Sequence, residues 1–155
     1  MKKYELTEET TNIFGKTLHR IRATRDFSNV HAGDLGGFIE DERNLSHDEN
    51  AWVGDEARVG DEALVYGNAL VYGNALVKGP RDIYWISCIG SRDGTTTFFR
   101  NANNSISVSC GCFYGTIDEF AAAVTKTHGD NEHAQAYRHA IEIAKLRIKL
   151  TDAES

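Results

Sequence analysis

The sequence predicts a β-solenoid joined to an α+β module: a short parallel β-helix of about two coils, then a three-stranded antiparallel meander and two C-terminal helices. Three observations carry that expectation. A six-residue repeat runs through the middle of the chain, with Ala51, Ala57, Ala63, Ala69 and Ala75 in one phase and Val53, Val59, Val65, Val71 and Val77 in another. Pro80, the only proline, ends it. Beyond the proline, short apolar runs at strand period give way to two stretches with helical spacing.

The repeat governs the middle. Five hexads run in register from Asn50 to Gly79, preceded by a degenerate sixth, Asn44 to Glu49. A period of six suits no helix of 3.6 residues per turn, whereas Ala and Val two apart point to one side of a strand. Gly, Asn and Asp close the hexads and tolerate tight turns and left-handed backbone. Short strands, inward Ala and Val and a corner every six residues describe triangular coils of three hexads each. Val53 is then expected to stack beneath Val71, Val59 beneath Val77 and Ala57 beneath Ala75, about 4.8 Å apart.

An open coil end exposes unpaired backbone, so the flanks are expected to cap it. This gives residues 1–43 as lead-in and cap, 44–79 as the repeat and 80–155 as the α+β module. In the lead-in, residues 17–24 and 35–39 read as strands and Gly33 to Gly37 as the sharp turn between them. Ile83 to Ile89 is apolar on both alternations, as a buried strand should be. Gly90 to Gly94 reads as a hairpin connection, and Thr95 to Arg100 and Ser105 to Cys110 complete the meander. Thr116 and Glu119 form a capping box for a helix that stops near His128 and Gly129. A second helix runs from about Asn131 to Leu150, with Tyr137, Ala140, Ile141, Ala144 and Ile148 on one face. Two bare coils and an amphipathic last helix invite a second subunit, so a homo-oligomer is expected.

Composition excludes several classes. The chain has 155 residues, 41% hydrophobic and 26% charged, as ordinary globular domains do. No apolar run approaches the roughly 20 residues that span a bilayer, and the opening residues form no signal peptide, so a cytoplasmic protein is expected. Three cysteines are an odd number and argue against a disulfide framework. The net charge of −6 disfavours direct nucleic-acid binding by phosphate neutralisation. That charge is concentrated. Residues 38–79 hold nine acids and three bases, a local balance equal to that of the whole chain. The pairs Asp55–Glu56 and Asp61–Glu62 recur at the hexad junction, where the corners face solvent, and Asp48–Glu49 ends the degenerate hexad before them. Stacked carboxylates repel one another, so these six residues are the candidate partner-binding ridge, suited to a basic surface.

The repeat over residues 53–79 resembles the hexapeptide-repeat, left-handed β-helix family, many of whose members are acyltransferases. The stretches 23–27 and 30–40, followed by Asn44-Leu45-Ser46, resemble the lead-in of hexapeptide proteins carried by phages and prophages, some described as acetyltransferases. The segments 84–87, 97–99 and 111–120 are similar to the ends of such proteins. The resemblance covers most of the chain and implies a left-handed solenoid of mobile-element origin.

Candidate chemistry is sparse. Hexapeptide acyltransferases use a histidine base beside a cleft between subunits; only His47, at the degenerate start of the repeat, and His31 qualify here, and neither has an orienting partner in the sequence. Cys110-Gly111-Cys112 with Cys88, and His128 as a fourth ligand, would be a metal site, but the spacing is not that of structural zinc, and buried thiols are the expectation. Trp85, Arg92, Phe99, Arg100 and Tyr114 form the core of an aromatic and arginine grouping that would hold a small nucleotide, bases stacking on rings and phosphates on arginines. No phosphate-cradling glycine loop is present. The sequence therefore points to a non-catalytic, phage-derived binding protein that counters a bacterial defence system without a cofactor. It would act by acidic-surface blockade of a basic protein, as anti-CRISPR proteins do, or by sequestering a nucleotide signal. The alternatives are a hexapeptide acyltransferase and a virion assembly module.

Overall fold

A long hairpin leads the chain. β1 (Tyr4–Ile13) and β2 (Lys16–Ala23) pair antiparallel from Tyr4 opposite Ala23 to Ile13 opposite Lys16. Only Tyr4 of β1 is buried, so this strand carries no period-two apolar signal and was not foreseen. β3 (Leu35–Ile39) pairs antiparallel with β2. The computed structural model describes residues 2–13 and 15–150 and separates into two units, Met1–Pro80 and Arg81–Ser155.

Within the repeat the strands are two residues long: β4 (Trp52–Val53), β5 (Arg58–Val59), β6 (Leu70–Val71) and β7 (Leu76–Val77). Val53 pairs in parallel with Val71, and Val59 with Val77. The repeat alanines and valines are all at most 1% exposed. The corners fall at six-residue intervals in the left-handed region, at Glu49, Asp55 and Asp61 (φ +55°, +53°, +54°) and then Gly67 and Gly73 (+63°, +66°).

The left-handed β-helix of about two coils predicted for this region is nonetheless not the class that the chain adopts. The first unit is built of mixed sheets: β1-β2-β3-β5-β7 form one five-stranded sheet, antiparallel at the hairpin end and parallel at the repeat end, and β4-β6 form a separate parallel pair. The physical reason lies in strand length. Two-residue strands have too few ladder bonds to stand alone, so β5 and β7 extend the sheet that the ten- and eight-residue strands of the hairpin begin. A second correction concerns the glycines of the lead-in. Gly33 is in the turn, but Gly36 and Gly37 lie inside β3 because the repeat packs directly on them. A Cβ on Gly36 would come within 2.6 Å of the Val53 carbonyl oxygen, and one on Gly37 within 2.5 Å of that of Ala57.

Polar groups close the interior of this unit. The Lys3 ammonium, fully buried, donates to the carbonyls of Asp48 (3.4 Å), Glu49 (3.4 Å) and Ala51 (2.5 Å). Buried Asn44 donates through Nδ2 to the carbonyls of Asp61 and Ala63, and the Tyr4 hydroxyl donates to that of Leu45 (2.6 Å). Buried carbonyls cost free energy when unpaired, and these side chains supply the missing donors.

The second unit is one antiparallel sheet with two helices on one face. β8 (Ile83–Ile89), β9 (Gly94–Arg100), β10 (Ile106–Cys110) and β11 (Phe113–Thr116) lie in the order β11-β10-β9-β8. The expected three-stranded meander is therefore four-stranded. Gly111, at φ +57°, lets Cys110 pair with Phe113, so the chain turns back for one more strand before the helices. α1 (Ile117–His128) starts at the Thr116–Glu119 capping box, and α2 (Glu132–Arg147) is capped by Asn131. Phe98, Val108, Phe120, Val124, Tyr137, Ile141 and Ile148 fill the core between sheet and helices. Among the described residues, no helix is long and apolar enough to cross a membrane.

Candidate functional site

The acidic ridge is organised by the corner geometry. Asp48, Glu49, Asp55, Glu56 and Glu62 are exposed and Asp61 is half-buried. The charge of residues 38–79 does not stand alone, because bases of the N-terminal hairpin reach it. Arg20 joins Glu9 (2.9 Å) and Glu56 (3.0 Å) and donates to the Gly36 carbonyl (2.6 Å), with its guanidinium over the Phe38 ring. Lys16 lies 3.5 Å from Asp61, and Lys2 3.1 Å from Glu42. Asp48, Glu49, Asp55 and Glu62 make no side-chain ion pair among the described residues. Asp55 instead accepts from the Gly73 N–H through Oδ2 (3.0 Å). The six predicted ridge residues thus divide into two with an ion pair, Glu56 and Asp61, and four without one among the described residues.

Beside the ridge lies a cavity of 270 Å³ lined by Asn29, Val30, Asp34, Leu35, Trp52, Gly54, Asp55 and Tyr72. Trp52 is held from behind by edge contacts with Phe27 and Tyr4. Tyr72 lies over Gly54, where a Cβ would stand 2.5 Å from its ring. Burial, and then the Asp55 carboxylate, push the Tyr72 phenol above its ordinary value. Asp34 accepts the His31 N–H through Oδ2 (2.9 Å). The sequence reading missed Trp52, Tyr72 and Asp34. The signal was present: Gly54 and Tyr72 are 18 residues apart, the spacing at which Val53 was expected to meet Val71, so a ring over a glycine was to be anticipated.

His47 is placed where it cannot act as a base. Its Nδ1 accepts the Lys3 backbone N–H (3.0 Å), which fixes the proton on Nε2, facing Glu42 at 2.8 Å. Its ring stacks on Tyr4 with 4.0 Å between centroids. Both ring nitrogens are therefore committed, and the lone pair a general base needs is already used. The His47 N–H and the Lys2 ammonium hold the Glu42 carboxyl below its usual range. His31 is exposed, and among the described residues nothing orients its ring.

In the second unit the expected nucleotide-binding residues are not gathered. Trp85 and Phe99 lie on the sheet face opposite the helices, where the Phe99 ring stacks 6.3 Å from Tyr114. Arg100 is two residues from Phe98, hence on the helix side by strand alternation, and lies 3.9 Å from Asp82. Arg92 is exposed in the β8–β9 turn. The thiols are not the buried groups expected: Cys88 and Cys112 are exposed and Cys110 is half-buried, all three free. Cys110, Cys112 and His128 do line one cavity of 290 Å³ with Phe120 and Tyr137, whereas Cys88 is not part of it. Cys110 Sγ accepts from the Thr96 hydroxyl (3.1 Å). Burial and the Cys110 sulfur push the Tyr137 phenol up to about 12. No group of three or more His, Cys, Asp or Glu among the described residues has the geometry to hold a metal ion.

No family model matches the chain, and no curated protein matches it significantly.

Proposed function

We propose that the chain is a non-catalytic binding protein that sets the acidic face of its first unit against a basic surface of another protein. The observation that carries this reading is the set of four carboxylates at or beside the corners, Asp48, Glu49, Asp55 and Glu62, that form no ion pair among the described residues, on the same unit that pairs Glu56 with Arg20 and Asp61 with Lys16. Such a surface speeds encounter with a positive patch and disfavours nucleic acid. The resemblance of the lead-in and of the C-terminal segments to proteins of phages and prophages supports a partner in a bacterial defence system, met in the host cytoplasm. Blockade is favoured over nucleotide sequestration because Arg92 and Arg100 do not join Trp85, Phe99 and Tyr114. It is favoured over acyl transfer because both nitrogens of His47 are engaged.

The test is a pulldown from bacterial lysate with the native protein and with a variant carrying Asp48→Asn, Glu49→Gln, Asp55→Asn and Glu62→Gln. These substitutions keep the side-chain size, and Asn tolerates the left-handed corner. The native protein should recover one defence complex and inhibit its activity, with binding that weakens as salt rises, and the variant should recover none. Recovery by both forms alike, or recovery unaffected by salt, would overturn the reading. Self-association is assigned to the end of the chain, where Ile143 (40% exposed) and Leu146 (70%) lie three residues apart on α2 and Leu150 (43%) follows just beyond the helix. Leu146→Glu should then reduce the molar mass measured by light scattering.

A further inference from the structure

We propose that the cavity beside the ridge is the seat for a single arginine side chain of the basic partner. This inference deepens the acidic-face reading and rests on it. Three features of the cavity point to that chemistry.

The first is size. At 270 Å³ the cavity lies below the roughly 300–1,000 Å³ of sites that enclose whole small-molecule ligands. That is room enough for one long side chain entering from a protein surface.

The second is the pairing of carboxylates with rings. Asp34 and Asp55 both line the cavity, and each is fixed through Oδ2 by a backbone N–H, of His31 and of Gly73 respectively. The other oxygen of each carboxylate remains to accept from a ligand. Neither carboxylate is ion-paired within the chain among the described residues. The nearest guanidinium, that of Arg20, donates to the Asp55 backbone carbonyl (3.3 Å) and gives its charge to Glu9 and Glu56. Tyr72 supplies the ring face, with the buried Trp52 as the floor beneath it. A planar cation gains from an aromatic face and from carboxylates that take its N–H groups in pairs, and arginine combines both contacts better than lysine does.

The third is rigidity. Trp52 is 3% exposed and packed against Phe27 and Tyr4, so it is a fixed floor. Tyr72 rests on Gly54, where a side chain would collide with the ring. A pre-formed wall spares a ligand the cost of ordering it. At the rim, Leu35 is 57% exposed and would cover the methylene stem of an arginine.

The probe is Nα-acetyl-arginine N-methylamide, followed by ¹H–¹⁵N correlation spectra of the full chain. Its citrulline counterpart, in which a neutral urea replaces the guanidinium, is the control. The arginine probe should shift the Trp52 indole and the Gly54 and Gly73 amides with saturable, millimolar affinity, and the citrulline probe should not. Asp34→Asn and Tyr72→Leu should each weaken binding about fivefold, and Tyr72→Phe, which keeps the ring, should retain it. Absence of shifts, equal shifts with citrulline, or shifts that ignore Asp34→Asn would overturn the proposal. The two readings fail separately. Capture of the partner equally by native protein and by Tyr72→Leu removes the arginine seat and leaves the acidic face. Probe binding at the cavity with no partner recovered supports the seat and removes the defence partner.

Discussion

The two units solve the problem of an interior in opposite ways. In the second, large side chains fill space between a sheet and two helices, with Phe98, Phe120 and Tyr137 at the centre in edge-on contacts. In the first, the inward positions of the repeat are mostly Ala and Val, and the backbone approaches so closely that β3 needs Gly36 and Gly37. Its buried polar atoms are satisfied by Lys3 and Tyr4, sent in from outside the repeat, and by Asn44 at its start. Bulky cores relax around a change, because neighbouring side chains shift into new rotamers. An interior built at backbone contact distance has nothing to move.

The largest expected effects test that contrast. Gly37→Ala puts a Cβ 2.5 Å from the Ala57 carbonyl oxygen and 2.9 Å from the Val53 side chain. Backbone must shift, so a loss of about 3 kcal/mol or more is expected, at the upper end for overpacking. Phe120→Ala opens a cavity in the other core and should cost about 3–5 kcal/mol. Similar totals should come with different distributions. Hydrogen exchange read by mass spectrometry should quicken foremost in β5 and β7 for the glycine variant and foremost in α1 and α2 for the phenylalanine variant. A glycine variant as stable as the wild type would end the claim that contact distance limits the first unit.

A smaller effect isolates the polar closure. Lys3→Met leaves the carbonyls of Asp48, Glu49 and Ala51 without their donor, and a loss of about 1–3 kcal/mol is expected by urea denaturation. The sharper readout is pH. Burial, with Arg25 adding repulsion, pulls the Lys3 ammonium down to about 8. An unfolded lysine titrates near 10.4, so between those values the unfolded state binds the extra proton and stability rises with pH. The cost of burying the charge is fully present below pH 8 and is relieved above it. Ionisation of tyrosine in the unfolded chain acts the other way above about pH 10, since burial holds the Tyr4 phenol protonated. The wild type should therefore melt at a higher temperature at pH 9.5 than at pH 7.5, and Lys3→Met should lose that rise.

How much could be read in advance follows the same division. In the second unit, β8 and the two helices lie within a few residues of where periodicity and capping put them, because apolar alternation and the Thr116–Glu119 box are local signals. β11 escaped because its four residues alternate weakly and its existence depends on one left-handed glycine, Gly111. In the first unit, the repeat gave away which residues point inward but not which sheet they join. Partner choice depended on β1, a strand whose outer residues leave no hydrophobic trace. The candidate site was half legible. Asp55 could be named from charge pattern alone, whereas Asp34 and Tyr72, 38 residues apart in the chain, meet only through the fold.

The smallest expected effect bears most directly on function. Five corners of the first unit adopt the same left-handed backbone, and the chain places Glu49, Asp55 and Asp61 at three of them but Gly67 and Gly73 at the other two. Left-handed backbone is disfavoured for a residue with a Cβ and free for glycine. If the corners existed only to turn the chain, glycine would serve at all five, as it does at the last two. Asp61 is the cleanest position to exchange, because its one ion pair, to Lys16 at 3.5 Å, is exposed and worth little. Asp61→Gly should therefore be stabilising by about 0.5 kcal/mol, the relief of the corner exceeding the extra freedom glycine has in the unfolded chain. A matched Gly67→Asp should be destabilising by a similar amount. Such a result would mean that an acid at these corners is held against the stability of its own unit, which for Glu49 and Asp55, the two acidic corners without an ion pair among the described residues, is expected of residues kept for a partner. If Asp61→Gly instead weakens the fold, acids at these corners are turn residues in their own right, and the left-handed backbone at Glu49 and Asp55 gives no support to a functional ridge.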